Sequence, residues 1–166
     1  MNIAIPDGTK RIVLISNIKN PPAFTFASSD LIVEMNQAVH HQALLDLFNK
    51  DQANLFLVVR HNKQEHFFPK DFTKNSRTWS QVYMTSDLFG FNTEDWFEEY
   101  FYRTDGKQTP TTGFCLYKYF RARRPNMPIV GLGFNLDDHS TPHVKIHDWK
   151  WEFDEYAKDK NFTALK

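Results

Sequence analysis

The chain has 166 residues, with 20 Lys and Arg offset by 20 Asp and Glu, and is 41% apolar and 24% charged. That length suits one domain over residues 1–166, able to bury roughly 70% of the surface an unfolded chain exposes. The composition excludes disordered and fibrous classes, and zero net charge leaves no field to hold a polyanion, so a nucleic-acid partner is excluded as well. Sixteen Phe, six Tyr and four Trp predict a core and cleft with aromatic walls. The single Cys115 cannot form an intramolecular disulfide, which fits a reducing compartment. No run approaches the 18 or so apolar residues of a membrane span, so a cytoplasmic protein is expected.

In chain order, "RIVLIS" at 11–16 reads as a buried strand ending in the Ser16-Asn17 loop. After a stretch carrying Pro21 and Pro22, "DLIVEMN" at 30–36 reads as a second strand. "QAVHHQALLDLF" follows with Ala38, His41, Leu44, Leu45 and Phe48 at helical spacing. "NLFLVV" at 54–59 and "SQVYM" at 80–84 add two strands. "NTEDWFEEYFYR" then places Trp96, Phe97, Tyr100 and Phe101 on one helical face behind an acidic first turn. "TPTTGFCLYKYFRARRP" reads as a turn opening a helix that must end by Pro125, and "MPIVGLGFN" as another strand. From Asp148, Trp149, Phe153 and Tyr156 form a last apolar helical stripe. Strands alternating with helices predict an α/β fold: a single Rossmann-like, mostly parallel sheet with helices on both faces.

Ligands in such sheets bind outside the carboxyl ends of the strands, which directs attention to four loops. In "TPTTG", residues 109–113, a helix N-terminus opening on hydroxyls and glycine can hold a phosphate, or Thr112 can act as a plain helix cap. Asn17 and Asn36 each follow a strand, where an amide can serve a nucleotide or simply form a turn. "GLGF" at 131–134 allows close backbone approach to a ligand, or tight packing. His139, His143 and His147 lie in one polar stretch, and histidine titrates near neutral pH as a general acid or base. Their spacing of four admits a zinc site, against which Pro142 breaks the helix they would need. His147 stands at the entrance of the last helix, with Glu152 able to reach back toward it. Arg121, Arg123 and Arg124 suit either a membrane surface or the negative end of their own helix.

Taken in order, these pieces resemble the sialyltransferases. "RIVLISN" and "DLIVEMNQA" look like the opening and close of the large sialylmotif. "PTTGFCLYKYF" with "MPIVGLGF" is similar to the small motif, and "HDWKWE" to the very short His-x4-Glu motif; bacterial lipooligosaccharide sialyltransferases show a comparable pattern. Glu34 stands where the animal motif usually has Arg, and Thr111 where Ser is usual. The resemblance implies a GT-A-like variant fold and a metal-independent, inverting glycosyltransferase that moves sialic acid or a related acidic sugar from a CMP-sugar donor to a glycan or lipid-linked acceptor. A catalytically inactive nucleotide- or sugar-binding protein of the same fold is the alternative. It implies no cofactor or metal and a place in the cytoplasm, at the inner face of the membrane. By the same carry-over, Ser16, Asn17, Asn36, Thr111, Thr112, Gly113 and Gly133 would hold the nucleotide. His147 would be the base, Glu152 its support, and His139 or His143 the third-motif histidine.

Overall fold

The computed structural model describes residues 5–16, 22–35, 55–59, 81–84, 99–100, 102–105, 107–108, 110–134 and 147–166, with backbone alone at 55–59 and 81–84. Among them, six strands form one sheet: β1 (Arg11–Ile15), β2 (Asp30–Met35), β3 (Leu55–Val59), β4 (Gln81–Met84), β5 (Ile129–Leu132) and β6 (Phe162–Leu165). Two helices accompany them, α1 (Thr112–Arg123) and α2 (Trp149–Lys158). The spatial order is β4-β3-β2-β1-β5-β6, and every neighbouring pair is parallel. The expected α/β architecture is therefore present, with an entirely parallel sheet.

The five strands read from the sequence fall within one to three residues of the observed bounds, because each is built on a short run of β-branched and large apolar residues. β1 and β2 are buried along nearly their whole length, the pattern of strands covered on both faces. Ile12, Leu14, Leu31, Val33 and Met35 share a core with α1 and α2. By strand alternation, Val13, Ile15, Ile32 and Glu34 face the other way, and they too are buried. Both helices lie against one face: α1 and α2 belong to crossovers that step in the same direction across the sheet, which right-handed connections require. The expected helix over 37–48 on the second face lies outside the described residues, as does most of the one beginning at Asn92.

β6 was not anticipated. Its four residues, Phe-Thr-Ala-Leu, make too short and too mixed a run to announce a strand, and they are only half-buried at the sheet edge. The fold supplies what the run lacks: α2 returns the chain so that Phe162 pairs with Ile129 and Leu165 with Leu132. The ring of Phe162 stacks on Tyr156 with centroids 4.6 Å apart.

The order of strands positions the site. From β1 the chain steps to β2, β3 and β4 in one direction, then crosses to the far side of β1 to lay down β5 and β6. The direction of winding thus reverses between β1 and β5, and in open parallel sheets the carboxyl ends of the strands at such a reversal are where ligands bind. Among the described residues no helix is long and apolar enough to cross a membrane.

Candidate functional site

The carboxyl edge of the sheet at this reversal begins with the residues that leave β1 and β5. Ser16 follows β1; its N–H donates to the Leu132 carbonyl at 3.0 Å and its hydroxyl to the Gly133 carbonyl at 2.9 Å. Gly133 has φ of 75°, a left-handed conformation that glycine adopts without a Cβ penalty, and its N–H donates to Leu165. Its neighbour Gly131 serves packing instead. A Cβ there would lie 2.7 Å from the Phe134 ring and 2.9 Å from Phe162. Of the two readings of "GLGF", close packing accounts for Gly131 and a turn at this edge for Gly133.

The N-terminus of α1 comes to the same edge. Gly113 lies against the ends of β2 and β5: a Cβ on it would lie 3.1 Å from the Phe134 ring and 3.6 Å from Met35 Sδ. The cap is Thr111, not Thr112 as the sequence suggested. Thr111 is extended, at φ −67° and ψ 156°, and its Oγ1 accepts from the Phe114 N–H at 3.0 Å, while Thr112 is the first helical residue. The three-residue reach from cap to N3 selects the first of the two threonines. At the other end, Arg121 donates to the carbonyls of Arg124, Pro125 and Met127 and pairs with Asp159, and Arg123 stacks on Tyr119 at 3.7 Å. These two arginines are occupied in closing their own helix, the ordinary alternative offered for them.

Glu152 joins α2 to this turn. Its side chain is completely buried, and its Oε1 accepts from the Thr111 N–H at 2.8 Å while Oε2 accepts from the Thr111 hydroxyl at 2.6 Å. A carboxylate at this point also meets the positive end of α1. Tyr100 completes the link. Its hydroxyl donates to Glu152 Oε1 at 3.4 Å and accepts from the Asp148 N–H at 2.8 Å. Burial, and next the charge of Glu152, hold that hydroxyl protonated well above the usual tyrosine range, so it remains a donor to the carboxylate.

Asp148 is the N-cap of α2, accepting from the Trp151 N–H at 3.2 Å, and its carboxylate also pairs with Arg103. His147 therefore sits one residue before the cap of the helix. It is 6% exposed, its ring lies edge-on to Trp149 with centroids 5.3 Å apart, and its carbonyl accepts from Gln108. The stripe expected from Trp149, Phe153 and Tyr156 is displaced: Trp151, Glu152 and Tyr156 are the buried positions, whereas Trp149 and Phe153 are half-buried. The α2 helix turns a carboxylate inward because Thr111 is there to receive it.

Of the residues singled out from sequence, Ser16, Thr111, Thr112, Gly113, Gly133, His147 and Glu152 gather at one edge of the sheet. Asn17, Asn36, His139 and His143 lie outside the described residues. Two participants were not singled out. Tyr100 was read only as part of an apolar face, although the hydroxyl that distinguishes it from Phe97 and Phe101 was the available signal. Glu34, noted only as a departure from a motif, is completely buried next to the end of β2, and among the described residues neither of its carboxyl oxygens has a hydrogen-bond partner. A charged residue inside an otherwise apolar strand run was its signal. No protein-family model, curated protein or solved structure matches this chain.

Proposed function

We propose that the chain is an inverting, metal-independent glycosyltransferase that uses a CMP-activated acidic sugar, sialic acid foremost. The observation that carries the reading is the Pro-Thr-Thr-Gly turn at the N-terminus of α1, fixed by Glu152 at the edge where the sheet reverses its winding. A helix N-terminus offers backbone N–H groups and a positive dipole end to a phosphate. In the reaction, His147 takes the proton of the acceptor hydroxyl as that oxygen bonds to the anomeric carbon from the face opposite CMP. The bond from the anomeric carbon to the phosphate oxygen breaks and CMP departs as a phosphate monoester, its growing charge met by the helix start. Preorganised donors of this kind lower the barrier without needing a strong acid.

Calorimetric titration with CMP, CDP and UDP tests the reading: CMP alone is expected to bind tightly, and absence of binding by any of the three ends it. A second reading has one observation in its favour. Glu152 is fully accounted for by holding Thr111, a task that a nucleotide-binding protein without catalysis needs equally. Release of CMP from CMP-sialic acid separates the two, since a pure binder releases none.

A further inference from the structure

The peptide unit that links His147 to Asp148 is gripped at both of its polar atoms. The His147 carbonyl accepts from Gln108 Nε2 at 3.2 Å, and the Asp148 N–H donates to the Tyr100 hydroxyl at 2.8 Å. Both side chains come from the stretch that leads into α1. Capping α2 calls for neither of them. The Asp148 carboxylate accepts from the Trp151 N–H and the Asp148 carbonyl from the Glu152 N–H, so the helix start is served from within α2 and its cap.

The two grips lead back to one residue. Gln108 lies just before Thr111 along the chain, while Tyr100 donates to Glu152 Oε1, which in turn accepts from the Thr111 N–H. One route is covalent and the other a run of hydrogen bonds, so the peptide after His147 is tied to the N-cap of α1 twice over. A peptide unit is planar, and holding its oxygen and its hydrogen together holds the plane. The Cα of His147 is thereby placed, and with it the point from which the imidazole leaves the backbone.

We propose that Tyr100 and Gln108 are positioning residues that hold His147 in register with the helix start of α1. The assignment rests on the transferase reading above, in which His147 must meet the acceptor oxygen while the phosphate sits at that helix start. Reactions of this kind are sensitive to such placement: a shift of about 1 Å, caused by a change remote from the reacting atoms, can cost roughly 100-fold. Each grip can be released without emptying the space it occupies. The Tyr100 ring packs on Trp151 and Phe114 with centroids 5.2 and 6.3 Å apart, contacts that Tyr100→Phe keeps while losing the hydroxyl. Gln108→Met keeps the length of the side chain and loses the donor.

The test measures release of CMP from CMP-sialic acid, with water as the acceptor, and calorimetric binding of CMP. Wild type, Tyr100→Phe, Gln108→Met and Gly131→Ala are compared at a temperature at which all four are folded. Both clamp variants are expected to release CMP roughly tenfold more slowly while binding it within about twofold of wild type. Gly131→Ala, which perturbs packing alone, keeps both properties. The imidazole resonances of His147, assigned by their absence from His147→Ala, should shift or broaden in the two clamp variants and stay in place in Gly131→Ala. A purely structural role would leave rate and resonances unmoved in the folded variants. Wild-type rates in both clamp variants therefore overturn the assignment and leave the transferase reading standing. Loss of CMP binding in step with rate overturns it too, since the effect would then lie at the phosphate turn. If the wild-type protein itself releases no CMP, the transferase reading fails and takes the assignment with it.

Discussion

Glu152 holds Thr111 at two points, by its N–H and by its hydroxyl, and so one helix of the protein fixes the N-cap of another. The arrangement is economical in chemistry. Thr111 Oγ1 donates to the carboxylate and accepts from Phe114 N–H, so one hydroxyl ties the cap of α1 to the interior of α2. Charge-assisted bonds in a buried setting are the stronger kind, and truncating one partner leaves the other desolvated and unpaired.

The first prediction follows from that geometry. Glu152→Gln keeps one acceptor and loses the other, and is expected to destabilise the fold by roughly 1–3 kcal/mol. Thr111→Val removes the cap and one of the two bonds, for about 1–2 kcal/mol. The double variant should lose less than the sum of the two, because they break one shared interaction. Urea unfolding of the four proteins measures the coupling, and strict additivity contradicts the network.

The glycines after and within β5 make separable predictions. Gly131→Ala places a Cβ 2.7 Å from the Phe134 ring and 2.9 Å from Phe162, between two rings already packed on Tyr156, so overpacking costs about 1–3 kcal/mol. Gly133→Ala meets instead a left-handed φ of 75°, a penalty of about 1–2 kcal/mol that is local to the backbone. Thermal unfolding should therefore drop for both. Nucleotide affinity should fall mainly for Gly133→Ala, which shifts the carbonyl that Ser16 holds at the sheet edge.

Much of the architecture could be read in advance because its information is local. β1 and β2 are short, mainly apolar runs whose two-sided burial suits a parallel sheet, and the Thr-Thr-Gly turn and Pro125 punctuate α1 on either side. β6 carries no such signal, since its place depends on α2 delivering Phe162 next to Ile129. The site was partly legible for the same reason. His147, Glu152 and the Thr111–Gly113 turn stand out as polar residues at element boundaries. What Glu152 touches could not be read, because its partner is 41 positions away and the bond exists only once both helices are packed. Tyr100, reaching Asp148 and Glu152 at once, is hidden for the same cause.

His147→Ala addresses the chemistry. The residue contributes its carbonyl to Gln108, which alanine preserves, and its ring to an edge contact with Trp149. The substitution should leave the fold and CMP affinity close to wild type while lowering transfer by roughly 10²–10⁴-fold, the usual contribution of a general base. Single-turnover transfer from CMP-sialic acid, measured with calorimetric binding of CMP on the same samples, separates loss of chemistry from loss of binding. Near wild-type turnover would remove His147 from the mechanism.

The dependence of stability on pH has a sign that the buried acid of β2 dictates. Glu34 rises from 4.5, the value of an ordinary glutamate, to about 8 in the folded protein, through burial. Between those values the folded state keeps a proton that the unfolded state has released, so stability is fully present below about 4.5 and is lost as pH climbs toward about 8. The slope of this contribution approaches 1.4 kcal/mol per pH unit. Among the described residues, the charged pair on that face, Arg11 and Asp30, lies at the opposite end of the strands and is closed on itself, while Ile15 and Leu57 beside Glu34 carry no charge. Glu34→Gln should consequently flatten the profile, and Glu34→Leu should both flatten it and raise stability near pH 8, since an apolar side chain removes the unpaired acid altogether. Urea midpoints taken from about pH 5 to about pH 9 for the three proteins provide the measurement. Parallel profiles would mean that another group governs the loss. A wild-type profile that falls with pH, beside two flat ones, would identify Glu34 as the residue whose proton the fold requires.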